Sequence, residues 1–210
     1  MNLAASRIWE KDPDERFISM PVILTNSIGH EAKTVPYPSL MNRHRTNRGF
    51  VDLRGRPELA ANVAEAANSP ALKNLLVRIA SDSGPIFTVG CDLGARTDLD
   101  QEPHLRKTAG GYIDFVCKWF WVGPERWANL WNKVSEKLTE TVGDDHWEVH
   151  FELRPLLLSL PDLHQKTCEV RVSFHTYAKS RAIALASRER LLAAIDGGLS
   201  EAAVETAFHD

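Results

Sequence analysis

The chain has 210 residues, of which 43% are hydrophobic and 25% are charged, so a disordered or fibrous protein is excluded and one globular domain is expected. The formal net charge of −3 excludes a chain-wide attraction to nucleic acid, which would therefore need a local basic patch. No apolar run approaches the roughly 18 residues of a membrane helix, and the first residues lack the apolar stretch of a secretory signal.

Residues 1–57 have no sustained hydrophobic periodicity and are rich in Pro, Asn, Ser and Arg. We interpret them as an N-terminal extension in which only residues 20–25 resemble a strand, one that could join the edge of a sheet. A single α+β domain is predicted over residues 58–210. Its first helix should begin at Pro57, because proline suits the first position of a helix, and should run through Ala67.

A second helix is predicted after Ser69 and Pro70, which together form a cap-and-proline start. Two strands follow at residues 85–93 and 112–122. The first of them is expected to direct four alternate side chains to one side, namely Phe87, Val89, Cys91 and Leu93. The next helix should begin at Pro124 and end near Gly143. Its apolar stripe consists of Trp127, Leu130, Trp131, Val134 and Leu138.

A strict alternation of apolar and polar residues predicts the third strand at residues 146–152. One side is apolar, with Trp147, Val149 and Phe151, and the other side is ionisable, with His146, Glu148, His150 and Glu152. Pro155 predicts that the later part of this strand is an edge or a bulge. The fourth strand, at 167–177, alternates in the same way and directs outward Glu169, Arg171, Ser173 and His175.

Ser180 opens a long helix that Gly197 and Gly198 are expected to break, and a last short helix is predicted at residues 201–208. From residue 57 the order is therefore α-α-β-β-α-β-β-α-α. Two hairpin-like strand pairs separated by a helix favour an α+β fold with a mainly antiparallel four-stranded sheet. We expect the helices to pack on one face of this sheet and the other face to be polar.

The polar face is the first candidate site. It combines carboxylates and histidines, which transfer protons and bind metal ions in enzymes. Because His146 and His150 would lie about 13 Å apart on a strand, a single site needs side chains from neighbouring strands. The candidates are Asp114, His150, Glu152, Glu169 and His175. Two alternatives are a solvated face with cross-strand ion pairs and a polar binding surface. No ligand set for a metal is predicted.

The basic segment at residues 43–56 is the second candidate site. Guanidinium groups pair with phosphate through two parallel hydrogen bonds, so Arg43, Arg45 and Arg48 could bind an anion or a nucleic acid. The alternative is a solvated arm or a set of internal salt bridges, since Asp52 lies in the same segment.

Function is not predicted by any strong motif. The chain has no phosphate-binding glycine loop, dinucleotide fingerprint, zinc-ligand pair or serine-nucleophile elbow, so no cofactor is predicted and enzymatic activity stays open. The leading hypothesis is a binding or interaction module that uses the polar sheet face or the N-terminal arm to bind a protein partner or a small ligand. The alternative is a small metal-dependent hydrolase or nuclease with its site on the polar face. Cys91, Cys117 and Cys168 are expected to be buried free thiols. Such thiols favour a soluble cytoplasmic protein, and no membrane partner is expected.

Overall fold

Among the residues that the structure describes, the secondary structure consists of strands, three α-helices and two short 3-10 helices, which we call 3-10 turns. The computed structural model describes residues 22–27, 31–41, 46–81, 86–94, 107–117, 124–142 and 146–201. The strands are β1 Val22–Asn26, β2 Lys33–Val35, β3 Leu40–Met41, β4 Thr46–Asn47, β5 Ile86–Asp92, β6 Lys107–Cys117, β7 His146–Leu160 and β8 Leu163–Ala178. The helices are α1 Pro70–Ser81, α2 Pro124–Val142 and α3 Arg181–Glu201, and the 3-10 turns are Pro57–Asn62 and Ala64–Asn68.

The main sheet is mixed and five strands wide, and it curls into a half-barrel. The four strands β5 to β8, which correspond to the four predicted from residue 85 onward, run antiparallel in the order β7-β8-β6-β5, an order that the sequence did not predict. Strands β1 and β2 then follow one another along the free edge of β7, and both pair with it in parallel. The fold is therefore α+β, but the prediction of a mainly antiparallel sheet of four strands is wrong. The division of the chain at residue 57 stays a prediction.

Pro155 does not end or bulge the long strand β7, which pairs with β8 without a register shift along its whole length. The carbonyl of Leu153 accepts a hydrogen bond from the Ser27 amide at 2.8 Å, so odd-numbered residues of β7 direct their backbone polar groups toward the edge that β1 and β2 occupy. Pro155 falls between the last β1 pair, at Leu153, and the first β2 pair, at Leu156. Its missing N–H therefore removes no hydrogen bond from either of these pairings.

Two helix predictions are also corrected. The region after Pro57 forms two 3-10 turns instead of an α-helix, because Val63 between them is extended (φ −79°, ψ 113°). At the other end of the chain, α3 continues through Gly197 and Gly198. A Cβ at Gly198 would lie 3.3 Å from Val134 Cγ1, so this glycine permits close packing of α3 on α2. The short helix predicted at 201–208 lies, apart from residue 201, outside the described residues.

The main hydrophobic core fills the space between the helices and one face of the sheet. Side chains of all three helices share this core with the apolar rows of β6, β7 and β8. The stripe predicted for α2 is confirmed, because Trp127, Leu130, Trp131, Val134 and Leu138 are all buried. Each such side chain contributes roughly 1.5–3 kcal/mol by its burial.

The opposite face of the sheet is not uniformly polar. It carries a second apolar cluster of seven buried residues, against which the loop residues Tyr37 and Phe50 pack. A register shift between Thr88 and Gly90 moves the odd-numbered side chains of β5 from one face of the sheet to the other. Phe87 and Val89 lie in this second cluster, whereas Cys91 and Leu93 pack against the main core. The four apolar residues of the strand predicted at 85–93, which were expected to share one side, are therefore divided between the two faces.

Candidate functional site

A cluster of charged side chains lies on the opposite face of the sheet, next to the second apolar cluster. Arg171 of β8 donates hydrogen bonds from Nε and Nη2 to the two carboxylate oxygens of Asp114 on β6, at 2.8 and 3.0 Å. Lys33 Nζ of β2 donates to Asp114 Oδ2 at 2.8 Å and to Glu169 Oε2 at 3.2 Å. We call Lys33, Asp114, Arg154, Glu169 and Arg171 the charged cluster. It joins four strands of the sheet through one network.

Strand geometry explains why these side chains meet. Asp114 lies directly opposite Arg171 in the β6–β8 pairing, and Glu169 lies opposite Arg154 in the β7–β8 pairing. Side chains opposite one another on antiparallel strands are neighbours on the same face. Lys33 reaches the network from the far side of β7, since β2 pairs there in parallel. The cluster thus combines three residues that were predicted to face outward, Asp114, Glu169 and Arg171, with two that were not predicted, Arg154 of β7 and Lys33 of the N-terminal segment.

The two carboxylates are held in an environment with little water, because the Asp114 and Glu169 side chains are each 0% exposed. Burial raises the pKa of Glu169, and the nearby charge of Asp114 raises it further, while Lys33 and Arg171 oppose the shift. Glu169 Oε1 and Arg154 Nη1 are 3.6 Å apart, and each is buried without a hydrogen-bond partner. Glu169 is therefore the least well compensated charge of the cluster.

Two tyrosine rings flank the cations. The Arg171 guanidinium lies 3.8 Å from the centre of the Tyr112 ring, and Lys33 Nζ lies 5.2 Å from the centre of the Tyr37 ring. Burial raises the pKa of both tyrosine hydroxyls, so they are neutral hydrogen-bond donors at physiological pH. Gly90 makes room for this arrangement, since a Cβ there would lie 3.0 Å from Asp114 Oδ2 and 3.2 Å from Lys33 Nζ.

A cavity of about 300 Å³ opens beside this cluster, between β5 and the segment of residues 48–65. Its floor contains buried residues such as Leu76, Thr88 and Val89, whereas Arg48 and Asn62 are exposed at its rim. The lining also includes the charged side chains Lys33, Glu65 and Asp92, the rings of Tyr37, Phe50 and Tyr112, and the Cys91 thiol. Arg171 also reaches the cavity. This space is at the lower end of the roughly 300–1,000 Å³ range of ligand pockets.

The five residues predicted on the polar face occupy different surroundings. Asp114 and Glu169 join the charged cluster. His150 Nε2 lies 2.8 Å from Thr25 Oγ1, and Glu152 accepts a hydrogen bond from Ser27 at 2.6 Å, so both are partnered by the β1 edge. His175 lies opposite Gly110 and Glu148 in the strand pairings. Within the described ranges, no group of three or more His, Cys, Asp or Glu side chains is arranged to hold a metal ion.

The basic segment is placed only in part. Arg43 and Arg45 lie outside the described residues. Arg48 is exposed and lines the cavity. Arg54 pairs with Asp52 at 2.8 Å and with Asp162 at 2.7 Å, and Arg56 lies 3.5 Å from Asp52. Two arginines of the 43–56 segment are thus engaged in internal ion pairs, and the predicted contact with nucleic acid stays a prediction.

Several residues of this site were not singled out from the sequence. Lys33 and Tyr37 lie in a stretch without periodicity, and a strand of three residues is too short to show one. Glu65 and Asp92 carried no motif. Tyr112 was on an outward position of its predicted strand, so strand alternation was the one signal that pointed to it.

Comparisons of this chain with protein-family models, with curated proteins and with solved structures find no match. None of the helices among the described residues has the length and apolar character needed to cross a membrane.

Proposed function

We propose that this chain is a binding protein that holds a small ligand in the cavity beside the charged cluster. The observation that carries the proposal is that two cations lining the cavity, Lys33 and Arg171, are fixed in position by carboxylates that are completely buried. A binding group that is already ordered loses little conformational entropy when a ligand arrives. The combination of fixed polar groups and an apolar wall is typical of small-molecule sites.

We further propose the cytoplasm as the location of the protein and a soluble ligand, not a membrane, as its partner. Cys117 and Cys168 are buried as thiols, which is the form that a reducing compartment maintains.

Filling the cavity tests the binding function. Ala64 lines the cavity, so Ala64→Trp should occupy part of it and weaken any ligand bound there at least about tenfold. Ala67 is exposed in the same 3-10 turn and does not line the cavity, which makes Ala67→Trp the matched control. We would screen a library of soluble metabolites against the three proteins by ligand-observed NMR. Binding that is equal in Ala64→Trp and wild type would place the ligand elsewhere, and no binding at all would remove the proposal.

The metal-dependent hydrolase remains a second hypothesis, because two of its five candidate residues, Asp114 and Glu169, converge on one point. That point is occupied by the ammonium group of Lys33, at 2.8 and 3.2 Å. Since the position already holds a cation, we expect Mg²⁺, Mn²⁺ and Zn²⁺ to leave the melting temperature of the wild-type protein unchanged. A saturable increase in melting temperature with any one of these ions would contradict this expectation and favour the hydrolase.

A further inference from the structure

We infer that the ligand of this cavity is a small zwitterion, a molecule that carries one carboxylate and one ammonium group beside an apolar part, as a free amino acid does. The inference rests on the proposed binding function and adds the chemical class of the ligand. It follows from the charges around the cavity, from the hydrogen-bond donors and acceptors that remain unused, and from the apolar wall.

The charged side chains of the cavity lining and of the charged cluster, taken together, balance one another. Four are cations and four are carboxylates: Lys33, Arg48, Arg154 and Arg171 against Glu65, Asp92, Asp114 and Glu169. A ligand with a net charge would leave one charge uncompensated in a partly desolvated space, which is unfavourable. A ligand with one charge of each sign keeps the region neutral and can pair with both kinds of side chain.

Unused donors on one side of the cavity fit a carboxylate. Lys33 Nζ has three N–H groups and uses two of them on Asp114 and Glu169. Arg171 uses Nε and Nη2 on Asp114, so in the part of the chain that the structure describes its Nη1 group is not engaged. The hydroxyl groups of Tyr37 and Tyr112 add two neutral donors. Charge-assisted hydrogen bonds from such groups are the strong ones in carboxylate recognition.

Unused acceptors at the β5 side of the cavity fit an ammonium group. Glu65 and Asp92 are each half-buried and line the cavity, and neither makes an ion pair or a side-chain hydrogen bond within the described residues. Both line the same cavity as the Cys91 thiol, whose pKa is raised by burial first and then by the charges of Glu65, Asp114 and Asp92. Carboxylate oxygens that no protein group occupies are available to accept hydrogen bonds from the ammonium group of a ligand.

The rest of the wall is apolar and matches the remaining part of such a molecule. Apolar side chains that supply it include Phe50, Val51, Leu53, Val63, Leu76 and Val89. With a volume of about 300 Å³ the cavity suits a ligand of metabolite size and excludes a folded partner.

Three matched ligands test the inference on the full-length chain. We would first measure binding of the free L-amino acids by isothermal titration calorimetry. For the tightest of them we would compare the analogue that lacks the ammonium group and the analogue that lacks the carboxylate; for phenylalanine these are 3-phenylpropanoate and phenethylamine. We expect the zwitterion to bind at least about tenfold more tightly than either analogue, because only the zwitterion satisfies both sets of unused groups.

One variant assigns the ammonium contact. Glu65→Gln should weaken the zwitterion about tenfold and leave the affinity of the carboxylate-only analogue unchanged. Glu58→Gln is the matched control, because Glu58 is exposed in the preceding 3-10 turn and does not line the cavity. If Glu65→Gln fails to fold, the three ligands on wild-type protein still decide.

Equal or tighter binding of the carboxylate-only analogue would overturn the inference in favour of an anion site, and tighter binding of the amine would overturn it in favour of a cation site. If metabolites of another class bind the wild-type protein and Ala64→Trp weakens that binding, the zwitterion class is wrong and the proposed binding function stands. If neither the amino acids nor any compound of the metabolite library binds, both the zwitterion class and the proposed binding function are wrong.

Discussion

Replacing Trp131 with alanine is expected to lower the free energy of unfolding by about 3–5 kcal/mol. The Trp131 side chain is 1% exposed and lies at the centre of the main core. Its ring is stacked on Phe151 with 4.6 Å between ring centres, and it also contacts Phe115 at 5.6 Å and Trp127 at 6.4 Å. Alanine would remove these contacts and leave a cavity that the surrounding sheet and helices can fill only in part.

Urea denaturation followed by far-UV circular dichroism measures this effect. Trp131→Phe should cost much less than Trp131→Ala, because a ring is retained and the buried indole N–H of Trp131 has no hydrogen-bond partner to lose. Asn132→Ala on the exposed side of the same helix should stay within about 0.5 kcal/mol of wild type. A midpoint of unfolding for Trp131→Ala that equals that of wild type would refute the central position of this residue in the core.

Replacing Asp114 with asparagine is expected to lower the free energy of unfolding by about 3–5 kcal/mol, because the substitution breaks a buried ion network. Asp114 holds Arg171 through two hydrogen bonds and Lys33 through a third. Without its charge, two partly buried cations lose their common partner. Glu169→Gln should be much milder, because Glu169 is the carboxylate whose pKa is raised chiefly by burial, and its charged form is the poorly compensated one.

The pH dependence of the free energy of unfolding tests the role of Glu169. Since the pKa of Glu169 is higher in the folded protein than in the unfolded chain, the folded state holds this proton more tightly. The resulting stabilisation is complete below the unfolded pKa of about 4.3 and is lost as pH rises through the folded pKa. The amide of Glu169→Gln has no such loss, so relative to wild type this variant should become more stable as pH rises through that window.

Denaturant unfolding of wild type, Asp114→Asn and Glu169→Gln at about pH 4 and about pH 8 checks both statements. Glu136→Gln, at an exposed position of α2, controls for the loss of a carboxylate as such. If Glu169→Gln proves as damaging as Asp114→Asn at about pH 8, the ionised Glu169 is a well-compensated member of the network and our assignment of its pKa shift to burial is wrong.

Part of the charged cluster could be predicted, because local alternation reports on which face of a strand a side chain lies. The outward assignment of Asp114, Glu169 and Arg171 came from period-two patterns in two strands, and these three side chains do meet on one face. The stripe of α2 was readable in the same way, since a continuous helix imposes its period on the sequence. The bulge in β5 was not readable, because one extra residue changes the face without changing the composition.

The sequence by itself determined the α+β class, the antiparallel part of the sheet and the burial of the tryptophans Trp127, Trp131 and Trp147, because each of these follows from the spacing of neighbouring residues. Only the tertiary structure decided that β1 and β2 complete the sheet in parallel, that Lys33 lies between Asp114 and Glu169, and that much of the face opposite the helices is dry. These features depend on residues 81 or more positions apart in sequence, such as Lys33 and Asp114, and on segments such as β2 and β7. Local patterns fix the direction of a side chain, but pairing between distant segments is set by the whole packed fold, and that pairing decides which polar rows meet water and which meet each other.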